Sequence, residues 1–243
     1  MKRFIQSAIG RLGYNFVNIR KLGWEPWQDV GILLQGVERP VFFDVGAHTG
    51  ETLAAMALHF PRANFHCFEP DPESFSLLQE MARRFPNARA YPLAMGDHPQ
   101  MAKLFLNRAS MTNSILEVAA ESKEGSLAGF FERVGEAAVT VDTLDQFCRE
   151  KGISHIDFLK TDCQGFDLRV LKGASDLLSK RRVHVIQCEG MFDSEYVGQG
   201  WFHEILHYLT DMDYAPVALH NPARNERHEI QWADVIFKRR HDP

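Results

Sequence analysis

Short apolar runs alternate with amphipathic stretches along most of the chain from residue 40 onward. The run Pro40 to Val45 (PVFFDV) is short, aromatic and β-branched, which predicts a buried strand. A helix is predicted next, because apolar residues then recur at i, i+3, i+4 and i+7, namely Leu53, Met56, Ala57 and Phe60. The alternation continues, and it predicts seven main strands, at 40–45, 64–68, 88–94, 155–161, 183–188, 215–220 and 231–238.

Strands that alternate with helices pack as a parallel sheet with right-handed crossovers and helices on both faces. The last two predicted strands have no helix between them, so we expect them to pair antiparallel. The fold class predicted is therefore α/β, a doubly wound, mostly parallel, seven-stranded Rossmann-like sheet with an antiparallel C-terminal strand pair. In such sheets ligands bind beyond the carboxyl ends of the strands.

The alternation breaks between the third and fourth main strands. Two further strands, near 102–106 and 138–141, enclose a polar segment from Asn107 to Ala137 that we expect to be partly helical around 127–134. We interpret about 102–141 as an insertion over the active face. No Gly/Ser/Pro-rich linker divides the chain, so the predicted organisation is an N-terminal helical segment, 1–39, and a single α/β domain, 40–243.

Charge and cysteine content narrow the class of protein. Lys and Arg number 27 and Asp and Glu 32, and this net charge of −5 disfavours a nucleic-acid partner bound through the overall field. The four cysteines are widely spaced with no CxxC pair, which predicts reduced thiols rather than zinc or disulfide sites. Reduced thiols predict a cytoplasmic protein, and because no apolar stretch is as long as a membrane span, we expect no stable membrane insertion.

The first nineteen residues carry a short amphipathic pattern. Apolar residues recur at helical spacing between Phe4 and Leu12, with Lys2, Arg3 and Arg11 beside them. Such a pattern is typical of helices that lie on a membrane surface and also of short helices packed on their own domain. Peripheral membrane contact through 1–19 is the alternative to packing on the domain.

A glycine-bounded turn, Asp44-Val-Gly-Ala-His-Thr-Gly50, separates the first predicted strand from its helix. Glycines there let the backbone turn tightly and approach a ligand without an intervening Cβ. The spacing is not GxGxxG, which disfavours a nicotinamide-dependent oxidoreductase. Glu69 ends the second predicted strand, where an acidic side chain accepts hydrogen bonds from ribose hydroxyls. Together, the glycine turn and Glu69 favour a site for a ribose-containing cofactor. The alternative, that Glu69 only stabilises the start of the next helix, is less favoured.

Six motifs occur in order along the chain: DVGAHTG, FEPDP, LAMGD, TVDTLDQF, IDFLKTDCQGFDLRVLKGA and VIQCEG. Together, over roughly Val41 to Gly190, they resemble the FkbM family of methyltransferases. The resemblance implies a class I methyltransferase fold, S-adenosylmethionine as cofactor, and O-methylation of a hydroxyl on a small-molecule or glycan acceptor. It does not indicate an oligomeric state.

The resemblance also implies which residues meet the cofactor. Five belong to the glycine turn, with the methionine end of the cofactor nearby, namely Asp44, Gly46, Ala47, Thr49 and Gly50. Glu69 is expected to bind the ribose, and Gly96 with Asp97 to lie near the adenine.

Lys160, Asp162 and Glu189 are the candidates for catalysis. Lys160 and Asp162 share one side of their strand, and Asp162 and Glu189 end strands expected to be neighbours. A carboxylate there is suited to take the proton of an acceptor hydroxyl, and Lys160 would keep Asp162 ionised. The alternative is a structural ion pair. The carboxylates are also of a type that binds magnesium, but nothing requires a metal, so a divalent ion is possible and not favoured.

The insertion offers Asn113 and Ser114 as candidate contacts for a hydroxylated acceptor, although both are also ordinary turn residues. His48, in the glycine turn, is a further candidate for substrate contact or proton transfer, and His220 is a weaker one.

The sequence departs from the family at Gln164, where the family usually has Glu, and at Asp167, where it often has Glu; the first departure removes a carboxylate. The lost carboxylate supports an alternative, a catalytically degenerate binding protein with a methyltransferase fold. We predict the enzyme: an S-adenosylmethionine-dependent O-methyltransferase acting on a hydroxyl of a sugar, glycan or polyol-like natural product.

Overall fold

The computed structural model describes residues 21–123 and 128–240. The helices and strands, in chain order, are α1 (Pro26–Leu33), β1 (Val41–Val45), α2 (Glu51–His59), β2 (Asn64–Phe68), α3 (Pro72–Ala82), β3 (Ala88–Tyr91), β4 (Ala94–Met95), β5 (Gln100–Asn107), β6 (Arg133–Asp142), α4 (Leu144–Lys151), β7 (Ile156–Thr161), α5 (Asp167–Lys172), α6 (Ser175–Ser179), β8 (Val183–Met191), α7 (Phe202–Asp211), β9 (Tyr214–Arg224) and β10 (Ile230–Arg239). Among these helices, none is long and apolar enough to cross a bilayer.

Seven strands form the main sheet, in the order β3-β2-β1-β7-β8-β10-β9. The first five of these strands run parallel, whereas β10 is antiparallel to both β8 and β9. Strand order reverses between β1 and β7, so the loops that follow these two strands diverge and leave a crevice at their carboxyl ends. The predicted fold class, with its antiparallel C-terminal pair, is confirmed.

An apolar core covers each face of the sheet. Phe42 and Phe158 belong to one core, while Phe43 and Leu159, the residues that follow them on β1 and β7, belong to the other. Successive strand residues point to opposite faces, so both faces of these strands are buried. This double burial explains why the strands are nearly continuous apolar runs in the sequence.

A second, three-stranded sheet, in the order β4-β6-β5, carries the insertion. The sequence predicts one strand over 88–94, but β3 ends at Tyr91 and the next two-residue strand, β4, pairs with β6 instead. The antiparallel hairpin β5–β6 is longer than predicted. The helix predicted around 127–134 is not an α-helix, because Ala128–Phe131 forms a 3-10 turn and Arg133 begins β6; residues 124–127 lie outside the described part of the chain.

The single helix predicted over 166–178 is two short helices, α5 and α6, which meet at Gly173. A Cβ at Gly173 would lie 1.9 Å from the carbonyl oxygen of Gly96. The bare glycine thus lets the corner between α5 and α6 pack directly on the turn that follows β4.

The N-terminal helix α1 packs on the α/β domain. The Glu25 carboxylate caps α1 by accepting from the N–H groups of Trp27 and Gln28, and Asp29 is fully buried. The Asp29 carboxylate Oδ2 lies 2.9 Å from Nε2 of His220 on β9, so His220 serves this contact and does not line the cavity described below. The amphipathic pattern of residues 1–19 lies outside the described residues.

Candidate active site

A cavity of about 760 Å³ opens at the carboxyl ends of β1, β2, β7 and β8. Its walls come from the glycine turn after β1, the insertion, the loop after β7, the loop after β8 and the hairpin β9–β10. The position is the one expected for a ligand site in a doubly wound sheet.

The glycine turn packs closely against the ends of both β2 and β7. The N–H groups of Gly46 and Ala47 both donate to the carbonyl of Phe68, each at 3.0 Å. Gly46 has φ of +82°, and a Cβ on it would lie 2.0 Å from the carbonyl oxygen of Asp162. Glycine is therefore required at this position for two reasons, backbone conformation and contact with the neighbouring loop.

Glu69 lies in the cavity wall and is 7% exposed. One carboxylate oxygen accepts from the N–H of His48 and the other from the N–H of Asp71, each at 2.8 Å. Burial raises the pKa of Glu69 to about 7, although these two backbone donors act to lower it. The carboxyl group is thus held in place by backbone while each oxygen keeps a lone pair for a ligand donor.

Lys160 is buried between two acids. Asp44 and Lys160 are partners in the β1–β7 register, and the Lys160 Nζ lies 3.5 Å from Asp44 Oδ1 and 3.2 Å from Asp162 Oδ2. Burial acts to lower the pKa of Lys160, but the charges of Asp162, Asp44 and Asp234 outweigh it and the pKa is raised. Lys160 therefore remains an ammonium ion that balances the acids beside it.

Asp162, which follows β7, and Glu189, near the end of β8, lie at the same edge of two adjacent strands. The pairing of β7 with β8 ends at Thr161 and Cys188, and the two acids are the next residues on each side. Both line the cavity. Burial, followed by the charges of Asp162 and Asp167, raises the pKa of Glu189 well above its ordinary value.

Gln164 fills the space between these two acids. Its Nε2 donates to Asp162 Oδ1 at 3.0 Å and to Glu189 Oε2 at 3.2 Å. Its Oε1 accepts from the hydroxyl of Tyr196 at 2.9 Å. The side chain that departs from the family pattern is therefore in contact with both candidate catalytic carboxylates.

Five of the residues predicted to meet the cofactor do not line the cavity, namely Asp44, Thr49, Gly50, Gly96 and Asp97. Asp44 is 1% exposed and lies beside Lys160 beneath the turn. The chain enters the second sheet at β4, which turns Gly96 into contact with Val141 and leaves Asp97 exposed. Leu93, Ala94 and Met95 form the cavity wall in their place.

Asn113, Ser114 and His48 do line the cavity, but all three side chains also bind other parts of the protein. The Ser114 hydroxyl donates to the carbonyl of Gln164 at 2.8 Å, and Asn113 Oδ1 accepts from a backbone N–H within the insertion at 2.7 Å. His48 Nε2 lies 2.8 Å from the Ser110 hydroxyl. These contacts fix the insertion against the glycine turn and the loop after β7.

Two parts of the site were missed by the sequence analysis. Tyr196 is a buried phenol in the polar loop after β8. An aromatic residue in a polar loop could have indicated a buried hydroxyl with hydrogen-bond partners in the site. The hairpin β9–β10 adds Asn221, Arg224 and Trp232 to the cavity wall, although its strands were interpreted only as a pairing element.

The described residues contain no group of three or more His, Cys, Asp or Glu side chains arranged to hold a metal ion. Between Asp162 and Glu189 stands the Nε2 donor group of Gln164, whereas a magnesium ion would need an acceptor oxygen there. The two carboxylates are therefore better placed to accept a proton from a substrate hydroxyl than to bind a cation.

Comparison with known proteins gives one family. The family profile described as the methyltransferase FkbM domain matches residues 44–216. The chain is 26% identical to 2-O-methyltransferase NoeI of Sinorhizobium fredii over 72% of each chain. It is 31% identical to 31-O-demethyl-FK506 methyltransferase FkbM of Streptomyces tacrolimicus, over 63% of this chain and 67% of that one. It is 25% identical to hexuronic acid methyltransferase AglP of Haloferax volcanii, over 70% of this chain and 65% of that one.

Proposed function

Because the chain belongs to the FkbM family of methyltransferases and uses S-adenosylmethionine, we propose that it methylates a hydroxyl of a sugar, glycan or similar polyol. The observation that carries this proposal is the pair Asp162 and Glu189, two carboxylates that face one cavity together with the glycine turn and Glu69. The similar proteins are named as 2-O-, 31-O- and hexuronic acid methyltransferases, which supports an oxygen acceptor.

The residues present fit the cofactor. Gly46 and Ala47 give a turn without bulky side chains, and Glu69 offers carboxylate oxygens at the end of β2 for the ribose hydroxyls. Bound S-adenosylmethionine supplies a methyl group on a positively charged sulfur. Asp44, Asp162 and Lys160 lie beneath and beside the turn. Together they carry two carboxyl groups and one ammonium group, a balance that favours a cationic ligand.

The acceptor oxygen must lose its proton as the new carbon–oxygen bond forms. Glu189 is the better candidate for this proton, because its raised pKa makes it the stronger base once it is ionised. Asp162, held by Lys160 and Gln164, is proposed to orient the hydroxyl. The insertion adds hydroxyl and amide groups to the wall, namely Ser110, Thr112, Asn113 and Ser114.

The acceptor class is tested by incubating the protein with S-adenosylmethionine labelled in its methyl group and a panel of acceptors. The panel holds neutral sugars, uronic acids, amino sugars, phenols and an RNA oligonucleotide. We expect label in a sugar or polyol as a methyl ether, identified by mass spectrometry after hydrolysis. Label found on an RNA base or on a protein nitrogen would contradict the proposal.

Glu69→Gln is expected to weaken binding of S-adenosylhomocysteine by about 1–3 kcal/mol, the usual loss when a charged hydrogen-bond partner is removed. In the unaltered protein, affinity should rise from pH 6 to pH 8 as Glu69, with its pKa of about 7, ionises and becomes a better acceptor.

Without ligand, the raised pKa of Glu69 lowers the free energy of unfolding as pH rises from 4.5 to about 7, because the carboxyl group ionises at lower pH in the unfolded chain than in the folded protein.

Titration calorimetry at pH 6 and pH 8 measures the affinity, and Glu80→Gln is the matched control. Glu80 is an exposed carboxylate on α3 outside the cavity, so its loss should leave affinity unchanged. Equal losses of affinity in Glu80→Gln and Glu69→Gln would show that Glu69 does not contact the cofactor.

We also propose a cytoplasmic location and no nucleic-acid partner. The four cysteines are free thiols, and three of them are buried. Their state supports a reducing compartment.

A further inference from the structure

Gln164 is held in one orientation by contacts on every side. Its backbone has φ of +50°, and its carbonyl accepts from the hydroxyl of Ser114. Its side-chain oxygen accepts from Tyr196, which is 1% exposed, and the same hydroxyl lies 3.0 Å from the carbonyl of Thr112. The amide group is therefore part of a buried network that joins the insertion to the loop after β8.

The chemistry of the amide group decides which end faces the acids. An amide has two N–H donors on nitrogen and an acceptor oxygen. With the oxygen toward the tyrosine hydroxyl, one N–H is available to Asp162 and the other to Glu189. The reverse orientation would place a third oxygen between two carboxylates and leave both acids without an amide donor.

Two carboxylates beside each other in a buried site repel, unless they share a proton, bind a cation or receive hydrogen bonds. The pair here is surrounded by further charged groups, namely Asp44, Lys160, Asp167, Glu195 and Asp234. Lys160 is the cation among these groups and contacts Asp162, whereas no cation contact is recorded for Glu189 within the described residues. Glu189 thus depends on the Gln164 amide for a donor.

We propose that Gln164 is a positioning residue whose amide, oriented by Tyr196, allows Asp162 and Glu189 to be ionised side by side without a metal ion. This inference rests on the proposed function for the role of the two acids in methyl transfer. The glutamine then has a task of its own that a glutamate could perform only by holding a proton or by binding a cation.

The first test is a carboxyl titration by ¹³C NMR on the unliganded protein, which needs no acceptor. In Gln164→Glu a third acid replaces the donor, so the pKa of Glu189 should rise further, by about one unit or more. Tyr196→Phe removes the group that orients the amide and should give a smaller rise. Gln146→Glu makes the same chemical change on the exposed face of α4 and should leave Glu189 unaffected.

The second test is the pH dependence of kcat/KM, measured with an unmethylated acceptor from the panel that the unaltered protein methylates. In Gln164→Glu the rise of activity with pH should move to higher pH, while affinity for S-adenosylhomocysteine stays within about twofold. If Gln164→Glu does not fold, Gln164→Asn gives the same reading, because Asn suits a positive φ and its shorter side chain loses the bridge.

Two results would overturn the inference. One is a Glu189 titration that is the same in Gln164→Glu, Tyr196→Phe and the unaltered protein. The other is unaltered enzyme that loses turnover in EDTA and regains it with magnesium. A shifted titration in a protein that methylates no hydroxyl would instead sustain the inference and refute the proposed function.

Discussion

Glu189→Gln and Asp162→Asn are expected to lower turnover by about 10²–10⁴-fold while leaving affinity for S-adenosylhomocysteine nearly unchanged, as is usual when a general base or a group that orients the reacting hydroxyl is lost. Both carboxylates face the cavity just beyond the paired ends of β7 and β8, and each amide replacement keeps the shape of the side chain. Asp176→Asn removes a surface carboxylate paired with Lys180 and should leave turnover unchanged.

The pH dependence separates the roles of the two acids. Activity should rise with pH over a range above that of an ordinary glutamate, because the pKa of Glu189 is raised. The charge of Asp162 contributes to that increase, so the residual activity of Asp162→Asn should rise at lower pH than that of the unaltered enzyme. Stopped assays from pH 5 to 9 measure both profiles. Unaltered turnover in both variants would exclude the two acids from catalysis.

Gly46→Ala is expected to destabilise the protein by about 3 kcal/mol or more and to abolish cofactor binding. A positive φ costs an alanine about 1–2 kcal/mol, and relief of a close contact in a packed region costs a further ~1–3 kcal/mol. The new Cβ would lie 2.0 Å from the carbonyl oxygen of Asp162, so the glycine turn and the loop after β7 must separate.

Gly152→Ala is the control for this prediction. Gly152 ends α4 with φ of +68°, and a Cβ there meets nothing within 4 Å, so it bears only the backbone cost. Thermal and denaturant unfolding of both variants measure the difference. Equal losses for the two would mean that contact with Asp162 does not constrain Gly46.

The fold could be predicted from the sequence because local pattern and global packing agree. Runs such as PVFFDV are apolar on both faces, which a strand at the centre of a parallel sheet requires. The order of elements then restricts the topology. Asp162 and Glu189 could be predicted as neighbours because both lie just beyond the carboxyl-terminal limit of the pairing between two adjacent parallel strands.

The remaining features depend on contacts between residues distant in sequence, which motifs do not encode. Gly96 belongs to the family motif LAMGD, yet the chain leaves the main sheet at β4, and Gly96 packs on Val141 and does not line the cavity. The hydrogen bonds of Gln164 with Tyr196 and of His48 with Ser110 join residues 32 and 62 positions apart. The replacement of Glu by Gln at residue 164 could be recognised in the sequence, but the side chains that Gln164 contacts could not.

The contact between α1 and β9 sets a limit on how far the chain can be shortened. The family profile begins at residue 44, beyond α1, whereas the Asp29 carboxylate and His220 form a buried polar pair. A protein whose N-terminus is cut back to residue 44 would lose Asp29 and leave the buried His220 ring nitrogen without this partner, and it would expose the side chains that Val30 covers. We therefore expect the smallest unit that folds independently to extend beyond the N-terminal limit of the family profile and to include residues 23–40.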